Sequence, residues 1–220
     1  MMKEERFPMK KYFWIVCVVV ACMVSAFTLN KIKVACIGDS ITEGYGLARQ
    51  SKTGYPVVLN RILGSGYSVL NSGRSATTLQ KKGDFPYWIC KEFSNVFAFE
   101  PDIIIMKLGT NDTKPQNWHP DAYEQDYQAL IDTLRTIPSH PAMYLCLPVP
   151  VFKTRWGIND STVVHGVIPA IERLAVKNHL PVIDLYHPML DQGPNFPDDI
   201  HPNESAVVNM AEIIAKNIRK

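Results

Sequence analysis

The chain has 220 residues, of which 46% are hydrophobic and 20% are charged. This composition excludes a disordered or collagen-like protein, because the apolar side chains are numerous enough to form a core, and the length favours a single domain. The formal net charge is only +2, which argues against nucleic acid as a partner, since domains that bind it carry strongly basic patches.

The N-terminal residues have the pattern of an export signal. Four basic residues begin the segment: Lys3, Arg6, Lys10 and Lys11. An apolar run follows over residues 12–27, and Val24-Ser25-Ala26 supplies small residues for cleavage after Ala26. We therefore predict a signal peptide over residues 1–26, a mature domain over residues 27–220, and a protein that is periplasmic or secreted.

Two alternatives to cleavage stay open for this segment. An uncleaved anchor would make residues 1–26 the only membrane contact, although the 16 residues of the run are fewer than the about 20 that cross a bilayer. Val19-Val20-Ala21-Cys22 resembles a bacterial lipobox, in which Cys22 would be lipidated. The segment holds four Lys or Arg and two Glu, so its removal leaves 19 basic and 19 acidic residues.

Cysteine and histidine spacing indicates neither a disulfide scaffold nor a metal site. The predicted mature domain contains Cys36, Cys90 and Cys146, an odd number that cannot pair completely. Cys36 and Cys146 lie in apolar runs, which favours buried free thiols. No Cys and His cluster has the spacing of a zinc site, so we predict no metal and no cofactor.

Strand-length apolar runs then alternate with segments of helical periodicity. The predicted strands are residues 33–37, 67–71, 102–108, 142–147 and 181–184. The predicted helices are residues 55–63, 86–99, 121–137, 161–178 with Ser161 as N-cap, and 203–219. This alternation indicates βαβ units with right-handed crossovers, and so an α/β domain in which helices cover both faces of a parallel five-stranded sheet.

Four polar blocks lie where this topology places functional residues. They are Gly38-Asp39-Ser40 after the first strand, Gly73 after the second, Gly109-Thr110-Asn111-Asp112 after the third, and Asp198-Asp199-Ile200-His201 before the last helix. The carboxyl ends of parallel strands meet at one edge of the sheet, where such folds bind ligands. We therefore expect the blocks to converge there.

The residue types in these blocks suit acyl transfer. A serine hydroxyl becomes a good nucleophile when a neighbouring base takes its proton, and His201 can serve Ser40 in this way. Asp198, three residues before His201, can orient the imidazole. The backbone N–H groups of Ser40 and Gly73 and the side-chain amide of Asn111 could stabilise the oxyanion.

Together the four blocks resemble those of the SGNH, or GDSL, hydrolase family, over roughly residues 33–220. The resemblance implies a flavodoxin-like α/β/α fold with strand order 2-1-3-4-5. It also implies Ser40 as nucleophile, His201 as base and Asp198 as its orienter, with Ser40, Gly73 and Asn111 forming the oxyanion hole. Asp199 stands where relatives often have Gly, and because it adjoins Asp198, either carboxylate could approach His201.

The loops after the third and fourth strands resemble those of carbohydrate O-acetylesterases, including sialate-type enzymes. The similar stretches are residues 109–118, Leu147-Pro148-Val149-Pro150 and Arg155-Trp156-Gly157-Ile158. Trp118 and Trp156 could stack on a sugar, or each could pack its loop onto the domain. Arg74 could orient a polar or acidic substrate, or be a solvated or paired charge.

These features predict a serine esterase that removes small acyl groups, acetyl foremost, from carbohydrates through an acyl-enzyme on Ser40. Its partner is then a small-molecule or glycan ester. A lysophospholipase or thioesterase of the same family is one alternative, and acetyl transfer between glycans is a related one. From a different class, the chain could be a non-catalytic carbohydrate-binding protein on this scaffold, since fold does not fix function.

Overall fold

The structure is a computed structural model that describes residues 30–219. The predicted signal peptide, with its anchor and lipobox alternatives, lies outside the described residues. Within residues 30–219, none of the helices is both long and apolar enough to cross a membrane. Cys36, Cys90 and Cys146 are buried free thiols.

A parallel five-stranded sheet forms the centre of the domain. Its strands are β1 (Ile32–Gly38), β2 (Tyr67–Gly73), β3 (Ile103–Lys107), β4 (Ala142–Cys146) and β5 (Val182–Ile183). They lie in the order β2-β1-β3-β4-β5, which confirms the predicted sheet. At its carboxyl edge Gly38 pairs with Gly73 of β2 and with Lys107 of β3, so the segments that follow these three strands leave the sheet side by side.

Helices and turns connect the strands. The helices are α1 (Ser40–Glu43), α2 (Gln50–Thr53), α3 (Tyr55–Leu63), α4 (Lys91–Phe99), α5 (Pro120–Arg135), α6 (Asp160–Thr162), α7 (Ile168–Asn178) and α8 (Glu204–Ile218). A π-helical segment, Val163–Val167, joins α6 to α7. Single 3₁₀ turns occupy Tyr87–Ile89, Asn111–Thr113, His187–Met189 and Gly193–Asn195.

Two hydrophobic cores, one on each face of the sheet, make the domain three-layered. Side chains alternate along β1, so Val34 and Cys36 enter one core while Ala35 and Ile37 enter the other. The first core also contains apolar side chains of α3 and α8, and the second those of α4, α5 and α7. The predicted α/β/α architecture is therefore confirmed.

Two predicted helices, 86–99 and 161–178, are divided into shorter segments in the structure. The predicted helix 86–99 is interrupted at Cys90, whose extended backbone separates a 3₁₀ turn from α4. The predicted N-cap Ser161 is wrong, because the side chain of Asn159 accepts the Thr162 N–H at 2.9 Å. Asn159 also donates to the Thr113 carbonyl at 2.8 Å, so this cap ties the helix to the loop after β3, a contact that local sequence does not reveal.

Candidate active site

The turn between β1 and α1 presents the Ser40 hydroxyl at the carboxyl edge of the sheet. Ser40 is the first residue of α1, and the Asp39 carboxylate caps this helix by accepting the Ile41 N–H at 3.0 Å. A Cβ on Gly38 would lie 2.0 Å from Thr42 Oγ1 and 2.8 Å from the Lys107 carbonyl oxygen. Only glycine therefore allows the chain to turn this tightly before the serine.

A buried ion pair between Lys107 and Asp39 stabilises this turn. Lys107 Nζ, at the end of β3, lies 3.0 and 3.1 Å from the two Asp39 carboxylate oxygens and 3.1 Å from Thr110 Oγ1. The side chains of Lys107 and Asp39 are 1% and 0% exposed. Burial of two charges is tolerated where both are paired and hydrogen-bonded, as here. The pair fixes the start of α1 to the end of the neighbouring strand.

Ser40, His201 and Asp198 form one chain of hydrogen bonds. Ser40 Oγ lies 2.9 Å from His201 Nε2, and His201 Nδ1 lies 2.7 Å from Asp198 Oδ2. Ser40 and His201 are only 8% and 7% exposed. A base within hydrogen-bonding reach of a hydroxyl, with a carboxylate on its other nitrogen, is the arrangement that activates a serine nucleophile.

The Asp198 carboxylate is held in its ionised form. Partial burial raises the pKa of Asp198, but hydrogen bonds from the His201 backbone and ring and from the Ile200 N–H outweigh it and leave the pKa below the ordinary value. An ionised carboxylate can stabilise the imidazolium that forms when His201 takes a proton. Asp199 does not approach the imidazole, since its carboxylate bonds Arg155 Nε at 3.0 Å instead.

Two candidate donors for an oxyanion belong to Ser40 and Asn111, which line the same pocket. The Ser40 N–H belongs to the first turn of α1 and so has no acceptor within the helix. Asn111 begins the 3₁₀ turn after β3, is 4% exposed, and donates one amide hydrogen to the Thr77 carbonyl at 3.1 Å. The second amide hydrogen of Asn111 is left to serve a ligand oxygen.

Gly73, the third predicted donor, lies outside the pocket lining. Its N–H donates to Asn71 Oδ1 at 2.9 Å, and a Cβ there would lie 2.2 Å from the Glu43 nitrogen. Glycine is required at this position because β2 passes close to the end of α1. The residues after β2 that line the pocket are Ser75 and Ala76, and Ala76 has a positive φ of 66°.

Carboxylates on both sides hold this segment in place. Glu43 Oε2 accepts the Ser75 N–H at 2.7 Å, and it also accepts the Ser75 hydroxyl. The Asp112 carboxylate accepts the Leu79 and Gln80 N–H groups at 2.9 and 2.8 Å. Burial raises the pKa of Asp112 to about 6 despite these hydrogen bonds. Asp112 thus serves to anchor the pocket wall beside Asn111.

Ser40, Asn111 and His201 line a pocket of about 220 Å³. Its lining comprises Ser40, Tyr45, Ser75, Ala76, Asn111, Lys114, Trp156, Ile158 and His201. The Tyr45 and Trp156 rings lie 4.6 and 6.1 Å from the His201 ring, centroid to centroid. These two aromatic residues remain 47% and 60% exposed, so their rings border the mouth of the pocket.

The family described as GDSL-like lipase/acylhydrolase matches residues 36–206, a range that contains Ser40, Asn111, Asp198 and His201. The chain belongs to this family. The predicted family resemblance is therefore confirmed.

An acetylxylan esterase of Xylanibacter ruminicola is 42% identical over 209 residues, which cover 86% of this chain and 44% of that protein. The chain thus spans less than half the length of this curated relative.

Solved structures share the fold at lower sequence identity. An aryl esterase of M. smegmatis matches with a TM-score of 0.68 and 20% identity, over 85% of this chain and 98% of that one. A carbohydrate acetylesterase from Sinorhizobium meliloti matches with a TM-score of 0.67 and 19% identity, over 86% and 98% of the two chains. At such identities the likeness establishes the fold that this GDSL-family chain shares with them.

Of the predicted substrate-binding residues, the structure brings only Trp156 to the pocket of this GDSL-family chain. Trp118 packs inward, with its ring 5.3 Å from that of Tyr123 and against Gly166, where a Cβ would lie 2.3 Å from the indole. Arg74 is exposed, its guanidinium lies 5.9 Å from the centroid of the Phe85 ring, and it is not among the residues that line the pocket.

The prediction from sequence overlooked Tyr45. It lies five residues beyond Ser40, and the turn after α1 folds it back onto the His201 ring. The cue in the sequence was an aromatic residue between Gly44 and Gly46, whose φ values of 96° and 82° allow the chain to reverse direction. Two aromatic residues therefore border the pocket of this GDSL-family chain, Tyr45 from the segment after β1 and Trp156 from the segment after β4.

Proposed function

We propose that this chain is a serine esterase that removes small acyl groups, acetyl foremost, from carbohydrates. The observation that carries the proposal is the hydrogen-bond chain from Ser40 Oγ through His201 to Asp198, which opens into a pocket between two exposed aromatic rings. Membership of the GDSL-like family and 42% identity to an acetylxylan esterase support the same reaction class.

In the first half of the proposed reaction, Ser40 Oγ attacks the ester carbonyl carbon while His201 Nε2 takes the hydroxyl proton. The negative charge that develops on the carbonyl oxygen is stabilised by the Ser40 N–H and the Asn111 amide. The bond from the carbonyl carbon to the sugar oxygen then breaks, and His201 gives its proton to that oxygen. The products are a free sugar hydroxyl and an acyl ester on Ser40.

In the second half, a water molecule attacks the acyl carbon and gives a proton to His201. The bond to Ser40 Oγ breaks, His201 returns the proton to that oxygen, and the carboxylic acid leaves. Asp198, with its lowered pKa, stays ionised and stabilises the imidazolium in both halves. The residues of this chain supply every proton transfer in the cycle.

The dimensions of the pocket support a small acyl group and a sugar leaving group. Its volume of about 220 Å³ is below the usual range of about 300–1,000 Å³ for drug-sized ligand sites. Tyr45 and Trp156 offer half-exposed aromatic faces at the mouth, where an apolar face of a sugar ring could stack. Acetylated xylan is the first carbohydrate to test, given the name of the relative, and O-acetylated sialic acid is the second.

The decisive experiment measures acetate release from acetylated xylan, O-acetylated sialic acid and O-acetylated peptidoglycan, with Ser40→Ala as the inactive control. We expect release from at least one glycan by the unaltered protein and none by the variant. Normal turnover of p-nitrophenyl acetate by Ser40→Ala would refute the acyl-enzyme mechanism. Binding of all three glycans with no hydrolysis would favour the non-catalytic alternative.

The alternatives within the family are separated by substrate and product. A series of p-nitrophenyl esters of increasing acyl length should be cleaved best at acetate, because the pocket beside Ser40 is small. A maximum at long acyl chains would favour a lysophospholipase or thioesterase instead. Transfer of acetyl to an added sugar acceptor would appear as acetylated product and would identify an acyltransferase.

We also propose export, on the strength of the basic and apolar pattern of residues 1–26. N-terminal sequencing of the protein from its native host tests this. A chain that begins at Phe27 is expected, whereas a lipidated Cys22 would establish the lipoprotein alternative, and a retained Met1 in the membrane fraction would establish the anchor.

A further inference from the structure

The Asp199 side chain links the catalytic loop to the loop that carries Trp156. Its Oδ2 accepts a hydrogen bond from Arg155 Nε at 3.0 Å, and its Oδ1 lies 3.7 Å from Lys153 Nζ. Its backbone carbonyl accepts the Phe152 N–H at 2.9 Å. The side chain is 16% exposed although it belongs to a surface loop. Three contacts from one residue therefore join the two loops.

The backbone of Asp199 explains why a side chain at this position is unusual. Its φ is 68°, in the left-handed region that glycine adopts without strain and that other residues seldom adopt. Aspartate is among the residues that tolerate this region best. A carboxylate here thus occupies a glycine-favouring position, and the contacts to Arg155 and Lys153 are what the carboxylate adds.

Trp156 stands at the tip of a tight turn whose base is the Asp199 partner. Arg155 and Ile158 exchange backbone hydrogen bonds of 2.8 and 3.2 Å, and the two residues between them, Trp156 and Gly157, have φ values of 52° and 81°. Positive φ at both central positions is the type I′ turn of a two-residue hairpin. The conformation is unfavourable for a bulky residue, so external contacts must define where the indole lies.

We propose that Asp199 is a positioning residue that holds Trp156 beside His201 for the sugar of the substrate. Since Arg155 directly precedes Trp156 and Asp199 lies two residues before His201, the ion pair fixes the distance between the indole and the imidazole, whose centroids are 6.1 Å apart. The assignment rests on the proposed carbohydrate esterase function. Asp199 would then affect the side of the pocket that binds the sugar leaving group.

The test compares Asp199→Asn with Asp191→Asn on acetylated xylo-oligosaccharide and on p-nitrophenyl acetate. Asparagine tolerates the left-handed backbone and removes only the charge, and exposed Asp191 lies eight residues earlier in the same connection. We expect Asp199→Asn to lower the ratio of kcat/KM for the oligosaccharide to that for the aryl ester about fivefold, about 1 kcal/mol for a partly exposed pair, mainly through KM. Asp191→Asn should leave the ratio unchanged.

A double-mutant cycle shows whether the effect passes through Trp156. Trp156→Ala should also lower the ratio, and Asp199→Asn should add little in that background, because the indole that it positions is already gone. Arg155→Gln should reproduce the effect of Asp199→Asn. Additive losses in the cycle, or an equal loss on both substrates, would show that Asp199 acts only on the catalytic loop and would overturn the proposal.

A readout independent of turnover separates this proposal from the proposed function. The Trp156 contribution to the fluorescence is the difference between a protein with Trp156 and the same protein with Trp156→Phe. In the Asp199→Asn background, acrylamide should quench this contribution more strongly than in the unaltered protein. Unchanged quenching would overturn the positioning role even if the chain is a carbohydrate esterase. Increased quenching, together with a failure of the unaltered protein to release acetate from any glycan, would overturn the proposed function and support the positioning role.

Discussion

The chain contains two Asp-x-x-His segments, and their local geometry is nearly the same. In one, His201 Nδ1 lies 2.7 Å from Asp198 Oδ2 and its backbone N–H donates to Asp198 Oδ1 at 2.7 Å. In the other, His187 Nδ1 lies 2.8 Å from Asp184 Oδ2 and its N–H donates to Asp184 Oδ1 at 3.0 Å. The spacing of three residues therefore creates an oriented histidine in both places.

The surroundings of the two histidines are what differ. The His201 side chain is 8% exposed and its Nε2 faces Ser40 Oγ, whereas the His187 side chain is 64% exposed and its ring contacts that of Tyr186. His187 follows the edge strand β5, while the loop of His201 reaches Ser40 after the more central β1. An Asp–His pair becomes a candidate base only where another strand end supplies the group it can deprotonate.

Replacement of the two histidines should give the largest contrast. His201→Ala should lower kcat on p-nitrophenyl acetate by about 10⁴-fold or more, as is usual when the base of a serine triad is removed. His187→Ala should change kcat less than about twofold, because surface substitutions outside a site have small effects. Circular dichroism of both variants controls for folding. Comparable losses in the two variants would contradict the choice of His201 as base.

The two orienting carboxylates should differ by a similar but smaller factor. Asp198→Asn should lower kcat about 10⁴-fold, because the amide favours the wrong imidazole tautomer and removes the charge that stabilises imidazolium. Asp184→Asn should leave steady-state kinetics unchanged. Asp199→Ala serves as the neighbouring control and should cost far less than Asp198→Ala. A larger loss in Asp199→Ala would exchange the roles of the two adjacent carboxylates.

Sequence patterns predicted the sheet and the residues of the hydrogen-bond chain because both depend on local features. Alternating apolar runs predicted the strands and the parallel sheet, whereas the strand order was implied by the family resemblance. Ser40, Asn111 and His201 lie in blocks that follow strands or precede the last helix. The three-residue spacing, which matches the family, favoured Asp198 over its neighbour Asp199 as the partner of His201. Both are in reach along the chain, and only the fold shows that Arg155 draws the second one away.

Two residues predicted to lie in the pocket do not line it, because contacts between distant segments of the chain determine where they lie. Trp118 is half-buried and packs against Tyr123, because Gly166 on the π-helical segment leaves room for its indole. The sequence around residue 118 does not indicate this contact. Gly73 looked like an oxyanion donor, but its N–H is taken by Asn71 and its missing side chain makes room for α1. A tryptophan or glycine at a strand end has several uses, and tertiary packing selects among them.

Loss of the Asn111 side-chain amide should lower kcat by an intermediate factor. It tests the second feature that distinguishes the His201 site from the His187 site, a candidate donor for an oxyanion. Asn111→Ala should lower kcat about 10²–10³-fold with little change in KM, because in the proposed mechanism its second amide hydrogen stabilises charge that develops in the transition state. Hydrolysis of p-nitrophenyl acetate in the steady state measures this. Thr113→Ser, one turn further along the same segment, is the matched control and should retain kcat. A loss confined to KM would instead make Asn111 a ground-state binding residue.

The smallest expected effect concerns stability, and it follows from the lowered pKa of Asp198. A carboxyl whose pKa is lower in the folded chain binds fewer protons there than in the unfolded chain, so its ionisation stabilises the fold above its ordinary pKa of about 3.9 and ceases to do so as pH falls through the lowered value. Urea unfolding at a series of pH values should therefore show the unaltered protein more stable than Asp198→Asn near neutrality. The difference should shrink below about pH 4, where the unfolded carboxyl becomes protonated.

Ser40→Ala keeps the Asp198–His201 pair, so the pH dependence of its stability should run parallel to that of the unaltered protein. If the stability difference between the unaltered protein and Asp198→Asn stays constant with pH, Asp198 stabilises the loop through hydrogen bonds that do not depend on its charge. The two Asp–His pairs would then differ only in that His201 lies beside Ser40.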